Sequence, residues 1–213
     1  MFLVGITGGL SCGKTEVAKI FEKLGAKIIS ADAFGREAVE NNKCVLRKLI
    51  FVFGNDILNK DNTLNRRKLA ELAFASKSGV KELNSIVHPY LLSALEEKIK
   101  KISKNKDIVV IDAALIVEWG LEKKLDFLIV VDSKTKDQIK RFCSATNYSS
   151  KTACNIIRCQ LPKTTKKKYA DLIVYNYGNL KQLKEKARRA WDDVIRESKK
   201  KKKITERLGG KKV

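Results

Sequence analysis

The sequence predicts an α/β protein built on a doubly wound, five-stranded parallel sheet, and three observations carry that prediction. Phe2-Leu3-Val4-Gly5-Ile6-Thr7 and Ile108-Val109-Val110-Ile111 are near-continuous apolar runs of strand length, as strands covered on both faces require. Between and after them, apolar residues recur at helical intervals. Directly behind the first run, Gly8-Gly9-Leu10-Ser11-Cys12-Gly13-Lys14-Thr15 matches G-x-x-x-x-G-K-[ST] in the strand–loop–helix context that this motif needs. The fold is therefore expected to be of the P-loop NTPase type, with ligands at the carboxyl ends of the strands.

In such a loop the glycines let the backbone curl until several N–H groups converge on phosphate oxygens, and the following helix adds its positive end. Lys14 is placed to reach the β- and γ-phosphates and Thr15 to ligate Mg²⁺, so the expected ligand is a nucleoside triphosphate such as ATP. Val17, Ala18, Ile20, Phe21 and Leu24 continue as a helix that Gly25 is placed to stop. Residues 26–30 read as a second strand, leading into Ala31-Asp32. Asp32 has two readings on local grounds. It serves as a base for an attacking hydroxyl or an anchor for a metal's water shell, or it is the N-cap of a helix over 33–40.

Residues 34–104 are mainly helical in pattern and are expected to form a substrate-holding insertion. Leu46, Leu49, Ile50 and Phe53 make one apolar stripe, and turns are expected around 54–56 and 60–62. His88-Pro89 is expected to break one helix and start the next, since Pro89 suits a first helical position. His88 is the single histidine of the chain and lacks any triad context, so a structural or contact role outweighs a catalytic one. The third strand ends in Asp112, where a carboxylate beside a phosphate loop assists Mg²⁺. Glu118 follows, then a strand over 127–132. Residues 135–168 are basic and helical, the pattern of a lid that closes on ATP or of a solvated hairpin. A fifth strand over 171–176 and an amphipathic helix over 180–195 complete a single domain, 1–198. Lys199 to Lys203 begin a basic C-terminal tail, 199–213.

Composition narrows the partners. The five cysteines are odd in number and form no C-x-x-C pair, so with one histidine a zinc site is not expected; free thiols in a reducing cytoplasm are. No secretory signal and no membrane span is expected, because no apolar run approaches 18 residues. The formal net charge of +21 suits phosphorylated substrates or polyanions. Its lysines are scattered, however, so no specific nucleic-acid partner is expected. A monomer is expected, with a homo-oligomer left open.

At this point the sequence resembles the dephospho-CoA kinase family over residues 2 to about 191. The pieces are Ile6-Thr7-Gly8-Gly9, Gly13-Lys14-Thr15, Leu24-Gly25-Ala26 with Ala31-Asp32 and Arg36, Phe53-Gly54, and Leu64-Asn65-Arg66. Further on come Leu83-Asn84-x-Ile86-x-His88-Pro89, Leu115-Ile116-Val117-Glu118, Gln138-x-x-Arg141, Gln160, Ala170-Asp171 and Asn176-x-Gly178. The resemblance implies transfer of the ATP γ-phosphoryl group to the ribose 3′-hydroxyl of dephospho-CoA, the last step of coenzyme A synthesis. It implies Asp32 as base or hydroxyl orienter, and Lys14 with the loop residues Gly8, Gly9, Ser11, Cys12, Gly13 and Glu16 around the phosphates. Thr15 would bind Mg²⁺. Arg36, Arg66, His88 and Glu118 would lie on the dephospho-CoA side, and Arg141 and Asn176 near the nucleotide.

The chain departs from the family pattern in places. Ser11 stands where a glycine is usual and is strained if its φ is positive. Cys12, at a helix N-terminus, is expected to have a lowered thiol pKa and to be oxidation-sensitive. Glu16 brings a negative charge toward the α-phosphate. Ala114 replaces a usual proline, and Ala145 replaces a lid arginine, for which Arg158, Lys163 or Lys166 is expected to substitute in part. Besides the kinase reading, another P-loop nucleoside or metabolite kinase, a degenerate ATP-binding paralogue and a nucleotide-dependent nucleic-acid binder stay open. A GTPase is disfavoured by the lack of an N-K-x-D signature.

Overall fold

The computed structural model describes residues 1–102 and 108–209. β1 (Phe2–Gly8) runs straight into the glycine loop and α1 (Lys14–Lys23), followed by β2 (Lys27–Ser30), α2 (Ala31–Asn41) and α3 (Lys43–Phe53). Next come α4 (Arg66–Ala73), α5 (Lys77–Ile102), β3 (Ile108–Asp112), β4 (Phe127–Asp132) and α6 (Thr135–Ala145). Then α7 (Ser150–Cys159), α8 (Lys163–Lys167), β5 (Leu172–Tyr175) and α9 (Leu180–Gly209) close the chain. The five strands pair in parallel in the order β2-β3-β1-β4-β5, the doubly wound sheet that the apolar runs predict. Every strand ends on the same edge, so Gly8, Ser30, Asp112, Asp132 and Tyr175 are gathered there.

Three apolar clusters hold the layers. On one face of the sheet, Val17, Ile20 and Phe21 of α1 and Leu183, Ala187, Trp191 and Val194 of α9 pack on β1 and β4. Phe21 and Trp191 meet edge to face, with ring centroids 5.1 Å apart. On the other face, Leu91 and Leu95 of α5 pack on Val109, Ile111 and Leu128 with Ile116 and Leu121 from the loops. A satellite cluster of Val39, Val45, Leu49, Ile57, Leu69 and Ile86 lies within the helical insertion. At the opposite edge, two aspartates finish the ladders. Asp126 accepts from Leu3 N at 2.9 Å and Asp171 from Leu128 N at 2.7 Å, which explains the acid in the Ala170-Asp171 pair.

Three expectations about elements need correction. The helix expected to break at His88-Pro89 is continuous through Pro89. A proline inside a helix removes one hydrogen bond and costs about 3 kcal/mol. That cost is offset because α5 buries Ile86 in the satellite cluster and Leu91 and Leu95 in the main one. Helix α2 is capped not by Asp32 but by Ser30, whose Oγ accepts from Ala33 N at 3.4 Å. Finally, the last helix does not close at residue 195 but runs to Gly209, through Lys199 to Lys203. Lysine is a good helix former, and the Lys200–Glu197 pair at 2.7 Å supports the exposed turns. Residues 103 and 104 of the expected insertion and 210–213 of the expected tail lie outside the described residues.

Candidate active site

The glycine loop forms the centre of the gathered edge. Gly13 caps α1 with φ +103° and ψ +14°, a conformation that a side chain rarely adopts. A Cβ there would also lie 2.6 Å from Asn176 Nδ2. Ser11, the residue where glycine is usual, has φ +46°, so the strain expected from its substitution is present. From behind, Asn176 Nδ2 donates to the Cys12 carbonyl at 2.9 Å, and Asn176 N donates to the Asp132 carbonyl at 2.7 Å. Lys14 is almost wholly buried and its Nζ donates to the Gly9 carbonyl at 3.1 Å, curled over the loop. Glu16 faces outward instead and pairs with Lys19 at 2.9 Å.

Cys12 corrects an expectation. The thiol is fully buried beneath the loop, and desolvation pushes its pKa up, against the smaller opposing pull of Lys14. A helix N-terminus lowers a thiol pKa only where the thiolate is also solvated.

Across the loop, Thr15 Oγ1 donates to Asp112 Oδ2 at 3.1 Å, joining the start of α1 to the end of β3. The two side chains offer oxygen ligands of the kind that a hard divalent cation takes. Among the described residues, no group of three or more His, Cys, Asp or Glu side chains converges, so the protein supplies few of a metal's ligands by itself.

The lid side reaches the same edge. Gln138 of α6 is buried against Gly9, and Arg141 Nη1 donates to Ser133 Oγ at 3.0 Å. Asp132, with its side chain 1% exposed, gathers Lys163 at 3.6 Å, Lys167, and the Tyr177 hydroxyl at 2.6 Å. Burial alone raises this carboxyl, but Lys167, Tyr177 and Lys163 outweigh it and hold its pKa below the ordinary value. The same hydrogen bond pushes Tyr177 up to about 12. Lys166, the most buried lysine of the lid segment, donates to the Ala114 carbonyl at 2.6 Å and pairs with Glu118 Oε1 at 2.8 Å. Desolvation lowers its pKa, Glu118 opposes that shift, and the nearby Lys14 ammonium adds to it.

A second pocket of about 410 Å³ opens beside Glu118, lined among others by Lys77, Asn84, His88 and Arg158. Trp119 Nε1 donates to His88 Nε2 at 2.9 Å, so that nitrogen carries no proton. Burial lowers the His88 pKa, against the pull of Glu118. His88 thus stands on a pocket wall as an imidazole hydrogen-bonded to Trp119. Arg66 opens α4, whose N-cap Asn65 accepts from Lys68 N at 3.0 Å. Asp32 and Arg36 lie on α2, and their side chains are outside the described residues.

Comparison with known proteins decides the family. The dephospho-CoA kinase profile matches residues 2–182. The chain belongs to the dephospho-CoA kinase family. The dephospho-CoA kinase of Carboxydothermus hydrogenoformans is 33% identical over 184 residues, 86% of this chain and 89% of that protein. That of Corynebacterium glutamicum is 33% identical over 199 residues, 92% of this chain and 98% of the other. Among solved structures, TT1252 from Thermus thermophilus is similar with a TM-score of 0.73 and 27% identity, covering 92% of this chain and 97% of that one. Shikimate kinase from Bacteroides thetaiotaomicron shares the fold alone, with a TM-score of 0.52 and 11% identity over 91% of this chain and 98% of that one.

As a member of the dephospho-CoA kinase family the chain is a kinase, and its fold groups most of the residues singled out in the sequence. Gly8 to Thr15, Asp112 and Asn176 share one edge, with Arg141 beside them; His88 and Glu118 share the second pocket. Sequence reasoning did not put Asp132, Tyr177 or Trp119 into the site. Asp132 carried a signal, an acid ending a buried strand as Asp112 does. Tyr177 and Trp119 carried none.

Proposed function

We propose that this kinase transfers the γ-phosphoryl group of ATP to the ribose 3′-hydroxyl of dephospho-CoA, giving coenzyme A and ADP. The observation that carries the reaction class is the formed phosphate loop, with Lys14 folded over it and Thr15 joined to Asp112. The acceptor is inferred from the family that matches residues 2–182. Phosphoryl transfer asks a protein mostly for alignment and charge stabilisation, and the gathered edge offers both.

In this reading the loop amides, Lys14 and the α1 N-terminus hold the phosphates, Arg141 lies on the nucleotide side, and Asn176 serves the nucleotide by bracing the loop from behind. Mg²⁺, held by Thr15 and Asp112 together with phosphate oxygens, would supply charge neutralisation at the β- and γ-phosphates. Asp32 at the start of α2 accepts the proton of the attacking hydroxyl, and Arg36, Arg66, His88 and Glu118 hold the acceptor. The catalytic set is thus Asp32, Lys14 and Arg141. The missing arginine at Ala145 is compensated from the lid. Lys166 is taken up by Glu118 at 2.8 Å, so the compensation falls in part to Lys163, whose exposed side chain lies 3.6 Å from Asp132, or to Arg158 at the outer pocket.

The test is ADP release with ATP, Mg²⁺ and dephospho-CoA, run on wild type, Lys14→Ala and Asp32→Asn. Turnover confined to dephospho-CoA, lost by about 10²-fold or more in both variants, is the expected outcome. Turnover with a nucleoside monophosphate in its place would overturn the acceptor assignment.

A further inference from the structure

Glu118 is held unevenly. Its Oε1 accepts from Leu161 N at 3.0 Å and pairs with Lys166 Nζ at 2.8 Å, so both of these donors come from the lid segment. Its Oε2 is buried and has no hydrogen-bond partner among the described residues. A carboxylate in such a place carries one unused acceptor, and leaving it unused is costly. Lys166 is fixed in turn. The Ala114 carbonyl that it donates to also accepts from Thr7 Oγ1 at 3.1 Å, one residue before the glycine loop. Lys166 therefore reaches from α8 to the floor between β1 and β3, and Glu118 hangs from it at the wall of the pocket that holds His88 and Arg158.

We propose that Lys166 is a positioning residue for the acceptor. Acting through Glu118, it fixes the carboxylate so that Oε2 takes a hydroxyl or amine donor of the acceptor nucleotide. Seating of residues 161–167 thereby becomes a condition for acceptor binding. The inference rests on the dephospho-CoA reading above and adds to it the group that holds Glu118 in place. The charge of Lys166 matters beyond its reach. A charge-assisted hydrogen bond from its ammonium is shorter and stronger than a neutral one, so it holds Glu118 Oε1 in a fixed place.

The test is a kinetic cycle on the full chain, with ATP and dephospho-CoA varied separately, over Lys166→Met, Glu118→Gln, the double variant and Lys166→Arg. Lys166→Met and Glu118→Gln are each expected to raise KM for dephospho-CoA about tenfold, with KM for ATP changed less than about twofold. The double variant is expected to be no worse than the poorer single one, because both remove the same contact. Lys166→Arg, which keeps the charge, is expected to recover part of the loss. Multiplicative losses in the double variant, or a fall in kcat with the acceptor KM unchanged, overturn the proposal. If Lys166→Met does not fold, a folded Glu118→Gln with an unchanged acceptor KM overturns it equally. Wild-type protein that neither binds nor phosphorylates dephospho-CoA overturns the substrate reading and this inference with it. Wild-type activity with unaffected variants overturns this inference alone.

Discussion

Asn176 shows how one amide supports a catalytic loop that it need not touch from the ligand side. Its Nδ2 satisfies the buried Cys12 carbonyl, and its backbone N–H satisfies Asp132. Asn176→Ala leaves the Cys12 carbonyl unpaired, at a cost of about 1–3 kcal/mol, and loosens the loop around Ser11 and Gly13, both at positive φ. A lower unfolding midpoint together with a raised KM for ATP, in denaturation and steady-state assays, is the expected result. A change in only the acceptor KM would contradict it. The sequence displays Asn176 within Asn176-x-Gly178 but not its bond, because a contact across 164 residues leaves no local pattern. Cys12 teaches the converse. Its place at a helix start was readable, while the burial that decides its pKa comes from chain segments far away.

Among the elements, α5 does the most joining. The satellite cluster takes its Ile86, and the main cluster takes Leu91 and Leu95, so the insertion and the sheet share one rod. Leu95 is fully buried, and Leu95→Ala is expected to cost about 2–5 kcal/mol in a cooperative unfolding measurement. Most elements were legible from apolar period alone, β1 and β3 above all, because buried parallel strands leave no polar residues in the run. What was not legible was the passage of α5 through Pro89 and of α9 through its lysines. In both, tertiary burial or helix propensity overrides a local signal for a break. A proline can be read in a sequence; the two hydrophobic anchors that carry a helix past it cannot.

Across the whole molecule, a half-buried histidine and a buried aspartate tie stability to pH. Burial depresses the His88 pKa below its ordinary 6.5, so as pH falls below that value the unfolded chain takes up a proton that the folded one resists. Stability is therefore present above 6.5 and declines on acidification until the folded imidazole is itself protonated. Asp132, also depressed, adds stability above the ordinary carboxyl value of 3.8 and loses it only as pH falls through its lower folded value. Unfolding midpoints followed downward from pH 8 are expected to show an early decline that His88→Gln removes and a later one that it leaves. A profile unchanged by His88→Gln would sink this assignment.

Pro89 also gives the molecule a fulcrum. A helix lacking one rung between two firm anchors bends there at less cost than elsewhere, so a swing of the insertion against the sheet pivots within a turn of His88. Points near a pivot travel little and points far from it travel far. His88 and its partner Trp119 would stay almost in place while the rest of the insertion moves. The pocket wall that carries His88 would then stand at the still point of such a bend.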